Sequence, residues 1–381
     1  MKLRLVDLDG FLDCARAWKE LLAACENPSP FMSQAWIASW WQCFSGPEMD
    51  FMCLLAERDG RLLAGLPLSV RRIPGPGRAL RLAELAGSAP VPTRGMGLAD
   101  RADMLCRADA PGAGRELARA LGSLVGERFD LALLVGVPGG SALARIPGAR
   151  AGIRSLSPYL PLDGGWDACL ARRGRGFTRT LRRRRRALRA SGRVEHVRLD
   201  APDGVAADIE RIFALSRRCR AARRGSDLFR HPALARFFAR TLPAMAADGL
   251  CACHVLLLDG QALAYEICFE LGGRVLSYTG AFDERFARFS PGTLLTAEII
   301  AEACARGRRE YDFLRGEEDY KLRWTAARRC ELEVALSAGA VAGLGAAALM
   351  AGCALRASPR LTALDGRVSG LWNRLRWRSG P

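Results

Sequence analysis

Residues 254–282, HVLLLDGQALAYEICFELGGRVLSYTGAF, fall into three apolar blocks separated by glycine-bearing turns. Blocks of this length, rich in Val, Leu, Ile, Phe and Tyr, predict a three-stranded antiparallel meander. Asp259-Gly260 is a hairpin signal, because a type I′ turn needs positive φ at both central residues. Gly272-Gly273 predicts a second turn. The period then changes. In SPGTLLTAEIIAEACARG (290–307), Leu294, Leu295, Glu298, Ile299 and Ala303 follow a helical pattern, with Ser290 the expected N-cap, Pro291 at N1 and Gly307 at the end. EYDFL (310–314) predicts one more strand.

The first half repeats this order. FMSQAWIASWWQCF (31–44) reads as an aromatic helix, and LLAERDGRLLAGLPLSV (54–70) as strand, Asp59-Gly60 turn, strand. GRELARALGSLVGER (114–128) reads as a helix and FDLALLVGV (129–137) as a strand. In the second half LFRHPALARFFARTL (228–242) stands before its hairpin as 31–44 does before the first. Helix, hairpin, strand, helix, strand occurring twice predicts an α/β tandem of similar modules. The prolines of LSPYLPL (156–162) mark the boundary. The expected division is 1–155, 156–336 and an Ala/Gly-rich, basic tail over 337–381. Within that tail, the uncharged stretch 337–355 is a marginal membrane-span candidate, with an Ala-rich helix or a tail as the alternatives. Trp372 and Trp377 among arginines suit either a membrane interface or solvent.

Composition sharpens this. Half of the 381 residues are hydrophobic and a quarter charged, which excludes general disorder. A net charge of +17 favours anionic partners: phosphorylated cofactors, an acidic membrane surface or nucleic acid. The cations concentrate in RGRGFTRTLRRRRRALRASGR (173–193), where a helix would carry Leu181, Ala187 and Leu188 as a narrow apolar patch and Arg182, Arg183 and Arg186 as a substrate-binding surface. The run lacks interleaved aromatics, which argues against specific nucleic-acid binding. Thirteen cysteines without a metal-ligand spacing, and no apolar leader in MKLRLVDLDG, point to a reducing, cytoplasmic setting and no metal. His196, His231 and His254 read as isolated.

The pieces Tyr278-Thr279-Gly280, Ser290-Pro291-Gly292, Asp312-Phe313-Leu314, Gly316 and Tyr320-Lys321 together resemble the GNAT acyltransferase superfamily, and more narrowly CelD-type proteins associated with cellulose and exopolysaccharide biosynthesis. Fem-type aminoacyltransferases, with paired GNAT modules, are distant relatives. The resemblance implies two GNAT-like modules, each a largely antiparallel mixed sheet flanked by helices. It implies acetyl-coenzyme A, or another acyl-coenzyme A, held between two splayed strands near 275–282 and 310–314. The pyrophosphate would meet the helix start at Ser290, Pro291, Gly292 and Thr293, where free N–H groups and a positive dipole end favour anions. Arg285 and Arg288 can pair with phosphate oxygens. ARFSPG carries one glycine where the usual loop has more, so another donor, or none, stays open.

Lys321 is one of three lysines among 57 basic residues, and a compact cation differs chemically from the guanidinium fork. Carried over from the Fem-type aromatic-Lys motif, Lys321 stabilises the oxyanion formed as an amine or hydroxyl attacks the acyl carbon. Candidate bases are Glu266, Asp312, Glu317, Glu318 and Asp319; Tyr278 or Tyr320 can reprotonate the leaving thiolate. Tyr320 is also placed at the substrate side. The implied acceptor is a sugar or polysaccharide precursor. The alternatives are a non-catalytic accessory protein docked on a membrane-bound polysaccharide synthase, and an aminoacyl-tRNA-dependent transferase.

Overall fold

The computed structural model describes residues 1–74, 78–88, 97–219 and 228–339, together with 343, 344 and 347. The predicted tail features beyond 347 lie outside the described residues. The chain divides into two compact units: Met1–Leu156 with the segment from Cys330 onward, and Ser157–Arg329.

In the first unit, strands β1 (Lys2–Val6), β2 (Met49–Arg58), β3 (Arg61–Ile73) and β4 (Leu80–Leu85) pair antiparallel in sequence order. A two-residue strand, β5 (Leu105–Cys106), pairs with β3 at Ala64 and Gly65. Helix α4 (Pro111–Leu124) leads to β6 (Leu131–Pro138), which lies parallel to β4. This helix begins at Pro111, earlier than predicted, because proline at the first helical position gives up only an N–H that would be unbonded anyway. Helices α1 (Leu8–Asp13), α2 (Ala15–Ala24) and α3 (Gln34–Phe44) precede the hairpin. Ser33 caps α3 through its side chain, so the predicted aromatic helix starts three residues after Phe31. Asp59 and Gly60 both have positive φ, 52° and 74°, as the type I′ assignment requires. Trp18 packs so closely over Gly65 that a Cβ there would lie 2.3 Å from its ring.

The second unit repeats the plan. Helices α5 (Gly165–Ala171) and α6 (Arg175–Arg189) precede β8 (Val194–Leu199), followed by α7 (Pro202–Arg218) and α8 (Pro232–Ala247). The meander is β9 (Cys251–Leu258), β10 (Gln261–Leu271) and β11 (Arg274–Phe282), with Asp259 and Gly260 at φ 48° and 76°. Helix α9 (Pro291–Ala305) crosses to β12 (Glu310–Asp312), parallel to β11. One face of this sheet carries α7 and α8, with Phe213, Phe229 and Phe238 in ring contact; the other carries α5, α6 and α9 over Leu256, Leu263, Tyr311 and Trp324.

The closing strand of each sheet comes from a distant part of the chain. Residues 159–161 of β7 (Arg150–Pro161) pair antiparallel with β12 in the second unit, although β7 precedes that unit's other strands. Residues 331–337 of β13 (Arg328–Ser337) pair antiparallel with β6 in the first unit, although they follow the whole second unit. The expected second module ran unbroken to 336; the pairing of 331–336 with β6 interrupts it. Each unit is thus an antiparallel four-strand run, a helical crossover to one parallel strand, and a closing antiparallel strand. Among the described residues no helix is long and apolar enough to cross a membrane.

Candidate active site

Strand β11 is longer than the partner beside it. Its register with β12 covers only Arg274–Leu276 opposite Glu310–Asp312, while β11 continues to Phe282. Past Asp312 the pairing with β11 ends, while Phe313 continues the β7 ladder on the other side by donating its N–H to the Pro158 carbonyl. Residues 277–279 and 281 of β11 are half-buried and Gly280 is exposed, so one edge of the strand lines an opening. A Cβ on Gly280 would sit 2.8 Å from the Tyr265 carbonyl, so the close approach of β10 requires glycine there. A register shift in β10 between Ile267 and Cys268 adjoins this point.

Helix α9 begins at the same end. Phe282 lies against Gly292, whose added Cβ would be 3.4 Å from the ring. Ser290 occupies the N-cap position, but in a left-handed conformation (φ 52°) and without a side-chain hydrogen bond to the helix. That corrects the expected serine cap. A left-handed backbone carries the Ser290 hydroxyl away from the first-turn N–H groups, which are left without a side-chain acceptor. A 3-10 turn over Glu284–Phe289 leads in. Arg285 is already paired with Asp283, whose carboxyl this guanidinium holds below the usual range. Arg288 is exposed, with its guanidinium 4.6 Å from the Phe289 ring centroid. Helix α6 packs against this 3-10 turn and against α9.

On α6, Leu181 and Leu188 are buried and Phe177 packs beside them, whereas Ala187 is exposed, which removes it from the predicted apolar patch. A helix turning 100° per residue puts 177, 181 and 188 on one stripe and 187 well off it. Arg182, Arg183 and Arg186 are exposed, while Arg185 turns inward to Glu298 of α9.

The proposed catalytic residues divide among three places. Glu266 of β10 is buried beneath α9, not in solvent. Its Oε1 accepts from Tyr311 of β12 and Cys268, and its Oε2 from Thr296 of α9 at 3.0 Å. Burial pushes its pKa up, and that of Tyr311 as well. Tyr278 lies on the opposite face, against Phe238 and Phe269. Asp312 and Lys321 flank the turn after β12. Asp312 is fully buried and accepts from the Leu314 N–H, holding Leu314 at φ 55°. Lys321, on the short helix α10 (Asp319–Leu322), is 5% exposed; its Nζ donates to the Arg315 carbonyl at 2.6 Å and pairs with Glu318 at 2.9 Å. Glu317 pairs with Arg328, and Tyr320 is exposed with Lys321 Nζ 6.0 Å from its ring centroid. Tyr311 and Thr296 were not singled out in the sequence. Their signal is positional, because each becomes visible only when α9 and β12 are laid over Glu266.

The histidines are not all isolated. His196 Nε2 and His254 Nδ1 lie 3.0 Å apart in stacked rings, and Glu302 approaches His196 Nδ1 at 4.0 Å. The three side chains come within metal-ligand reach of one another. However, Glu302 already pairs with Arg198 and Arg306, and burial, His196 and these arginines push the His254 pKa down. A divalent cation there would displace guanidinium groups and remain beside their charge.

The first unit has no equivalent opening among its described residues. Beside β6, where β4 pairs only through Leu82 and Ala83, buried Leu98, Ala99 and Ala102 fill the place. Gly136 of β6, at φ 77°, lies against them; an added Cβ would be 3.4 Å from the Arg101 nitrogen.

Residues 172–322 match the family model of the acetyltransferase (GNAT) domain. The second unit carries a GNAT acyltransferase domain. The fold of the whole chain is similar to that of FemX, at 13% identity and a TM-score of 0.61, over 88% of this chain and 97% of that one. It is similar to L-PGS from Bacillus licheniformis, at 12% identity and a TM-score of 0.54, over 93% and 97%. A conserved protein of unknown function from Bacteroides thetaiotaomicron VPI-5482 gives 12% identity and a TM-score of 0.52, over 88% and 100%. At these identities the likeness is one of fold. No curated protein matches the chain.

Proposed function

We propose that the GNAT domain transfers an acyl group from an acyl-coenzyme A to an amine or hydroxyl, with a sugar or polysaccharide precursor as the acceptor class. The observation that carries the reading is the stretch of β11 beyond its register with β12, beside the uncapped start of α9. Main-chain groups of Ser277–Ala281 offer an extended edge along which an amide-bearing arm can bond as a strand would. The uncapped N–H groups of Gly292 and Thr293 need acceptors, which phosphate oxygens supply. Arg288, exposed at this corner, adds a cation; Arg285 contributes less, because Asp283 already neutralises it. These residues fit the donor, which brings an activated thioester to the reaction. Lys321 holds the turn after β12 closed, and its charge serves a developing oxyanion once the exposed Glu318 carboxylate swings away from it. Both oxygens of Glu266 are engaged, so its part is to hold α9 over the sheet.

A second reading is favoured by the exposed arginines of α6 beside the 3-10 turn: an aminoacyl-tRNA donor. One structural neighbour, FemX, belongs by name with the Fem-type proteins. A thermal-shift titration with acetyl-coenzyme A, longer acyl-coenzymes A and free coenzyme A separates the two. A ligand at a hundred times its Kd stabilises the native state by about 2.7 kcal/mol. A saturable rise that Arg288→Ala weakens supports the first reading. No rise at millimolar ligand removes it, and RNase-sensitive copurification then supports the second. If both fail, the accessory role docked on a polysaccharide synthase or an acidic membrane face is what remains.

A further inference from the structure

A cavity of about 110 Å³ lies in the second unit between α6, β8, β9 and the body of α9. Leu188, Val194, Leu256 and Leu294 give it apolar walls, and Arg185, Arg189, His196 and Glu298 line the rest. At roughly 10–15 Å³ per water-sized occupant, it has room for a ligand of on the order of eight heavy atoms. It is separate from the opening beside β11: its strands are β8 and β9, across β10 from that edge.

Arg185 is the informative residue. Its Nε and one terminal nitrogen are shut off from solvent and make no hydrogen bond. Its charge is met by Glu298 at 2.8 Å, an ion pair without a hydrogen bond. Buried donors left unbonded are costly and rare, so a guanidinium held in this way has unused capacity for a planar acceptor. Arg189 adds a second cation on the next turn of α6, and it is exposed. His196, bonded to His254, adds an imidazole to the wall. Two cations against one carboxylate leave the polar side net positive.

We infer that this cavity is a second ligand site, for a small carboxylate with a short aliphatic body, whose charged end engages Arg185 and Arg189 and whose tail rests on Leu188, Val194, Leu256 and Leu294. The apolar walls disfavour a fully hydrated anion. Glu298 repels a dianion more strongly than a monoanion, which selects a carboxylate over inorganic phosphate. A turn of the Arg185 end group away from Glu298 presents its fork to the cavity, and the ligand then takes the hydrogen bonds that Glu298 leaves unmade.

The test is isothermal titration with sodium butyrate, butyramide and inorganic phosphate. It uses the full chain as wild type, Arg185→Gln and Val194→Phe, the last filling the cavity from a half-buried position. Saturable butyrate binding is expected, with butyramide and phosphate at least about tenfold weaker, a difference of about 1.4 kcal/mol. Both variants should lose butyrate binding while keeping the wild-type response to acetyl-coenzyme A, so failure here is distinguishable from failure of the acyl-transfer reading. Absence of saturable butyrate binding, wild-type butyrate affinity in Arg185→Gln, tighter binding of phosphate, or competition between butyrate and acetyl-coenzyme A would each overturn the assignment. If Val194→Phe fails to fold, Arg185→Gln still decides, because the Arg185 side chain is partly exposed and a glutamine amide there can still donate toward Glu298.

Discussion

Glu266→Gln provides a test of the buried network beneath α9, read through the pH dependence of stability. Glu266 is shut inside the second unit, and desolvation raises its pKa above the unfolded value despite the bonds from Tyr311, Thr296 and Cys268. For an acid with a raised folded pKa the native state keeps the proton longer. The stability it contributes is complete below the unfolded pKa and falls as pH rises through the folded one. In that window one extra proton in the native state gives a slope of up to about 1.4 kcal/mol per pH unit. Glutamine has nearly the same shape, can accept from Tyr311 through its oxygen, can donate to the Thr296 hydroxyl through its amide, and does not titrate. Near pH 4 the substitution should therefore change stability by about 1 kcal/mol or less. As pH rises, the variant should gain on the wild type. Glu266→Ala should lose about 3–5 kcal/mol near pH 4, since it leaves a void and strands two buried hydroxyls, and this deficit should shrink as pH rises, because alanine does not titrate either. Urea unfolding followed by far-UV circular dichroism, from pH 4 to pH 8.5, measures all three proteins. Parallel curves for wild type and Glu266→Gln would refute the reasoning, because they would mean that Glu266 titrates alike folded and unfolded.

Other consequences follow from local geometry. Gly280→Ala drives a Cβ to 2.8 Å from the Tyr265 carbonyl, and should cost about 1–3 kcal/mol in urea unfolding and narrow the opening beside β11. Lys321→Met removes the donor to the Arg315 carbonyl and strands that acceptor; a loss of about 1–3 kcal/mol is expected, with the 313–318 turn showing faster amide exchange. Replacing Arg182, Arg183 and Arg186 by Gln should leave the unfolding midpoint nearly unchanged, because all three are exposed, and should weaken salt-sensitive binding of anionic ligands. In the first unit the Arg78 guanidinium holds the Asp130 pKa at about 2, so its contribution is present above the unfolded carboxylate range and lost as pH falls toward 2; Asp130→Asn should flatten acid unfolding over that range.

Much of this protein is written in short stretches of its sequence. The turns at Asp59-Gly60, Asp259-Gly260 and Gly272-Gly273 take positive φ because these residue types tolerate it, whatever surrounds them. Pro291 starts α9 and Gly307 ends it for equally local reasons, and the repeated order of elements follows from such signals. Tertiary structure decided the rest. The exchange of β7 and β13 depends on which sheet edge each strand can complete, and no nearest-neighbour preference encodes that choice. Alternation put Glu266, Cys268 and Glu270 on one face of β10; that this face is covered, and that Tyr311 and Thr296 meet Glu266 there, follows from the packing of α9. His196 and His254 stand 58 positions apart and stack because β8 and β9 pair, while Ser290 fails as a side-chain cap because the preceding 3-10 turn delivers it in a left-handed conformation. Backbone preferences act over a few residues, whereas burial and hydrogen-bond pairing are settled between segments far apart in the chain, and only the folded chain brings those segments together.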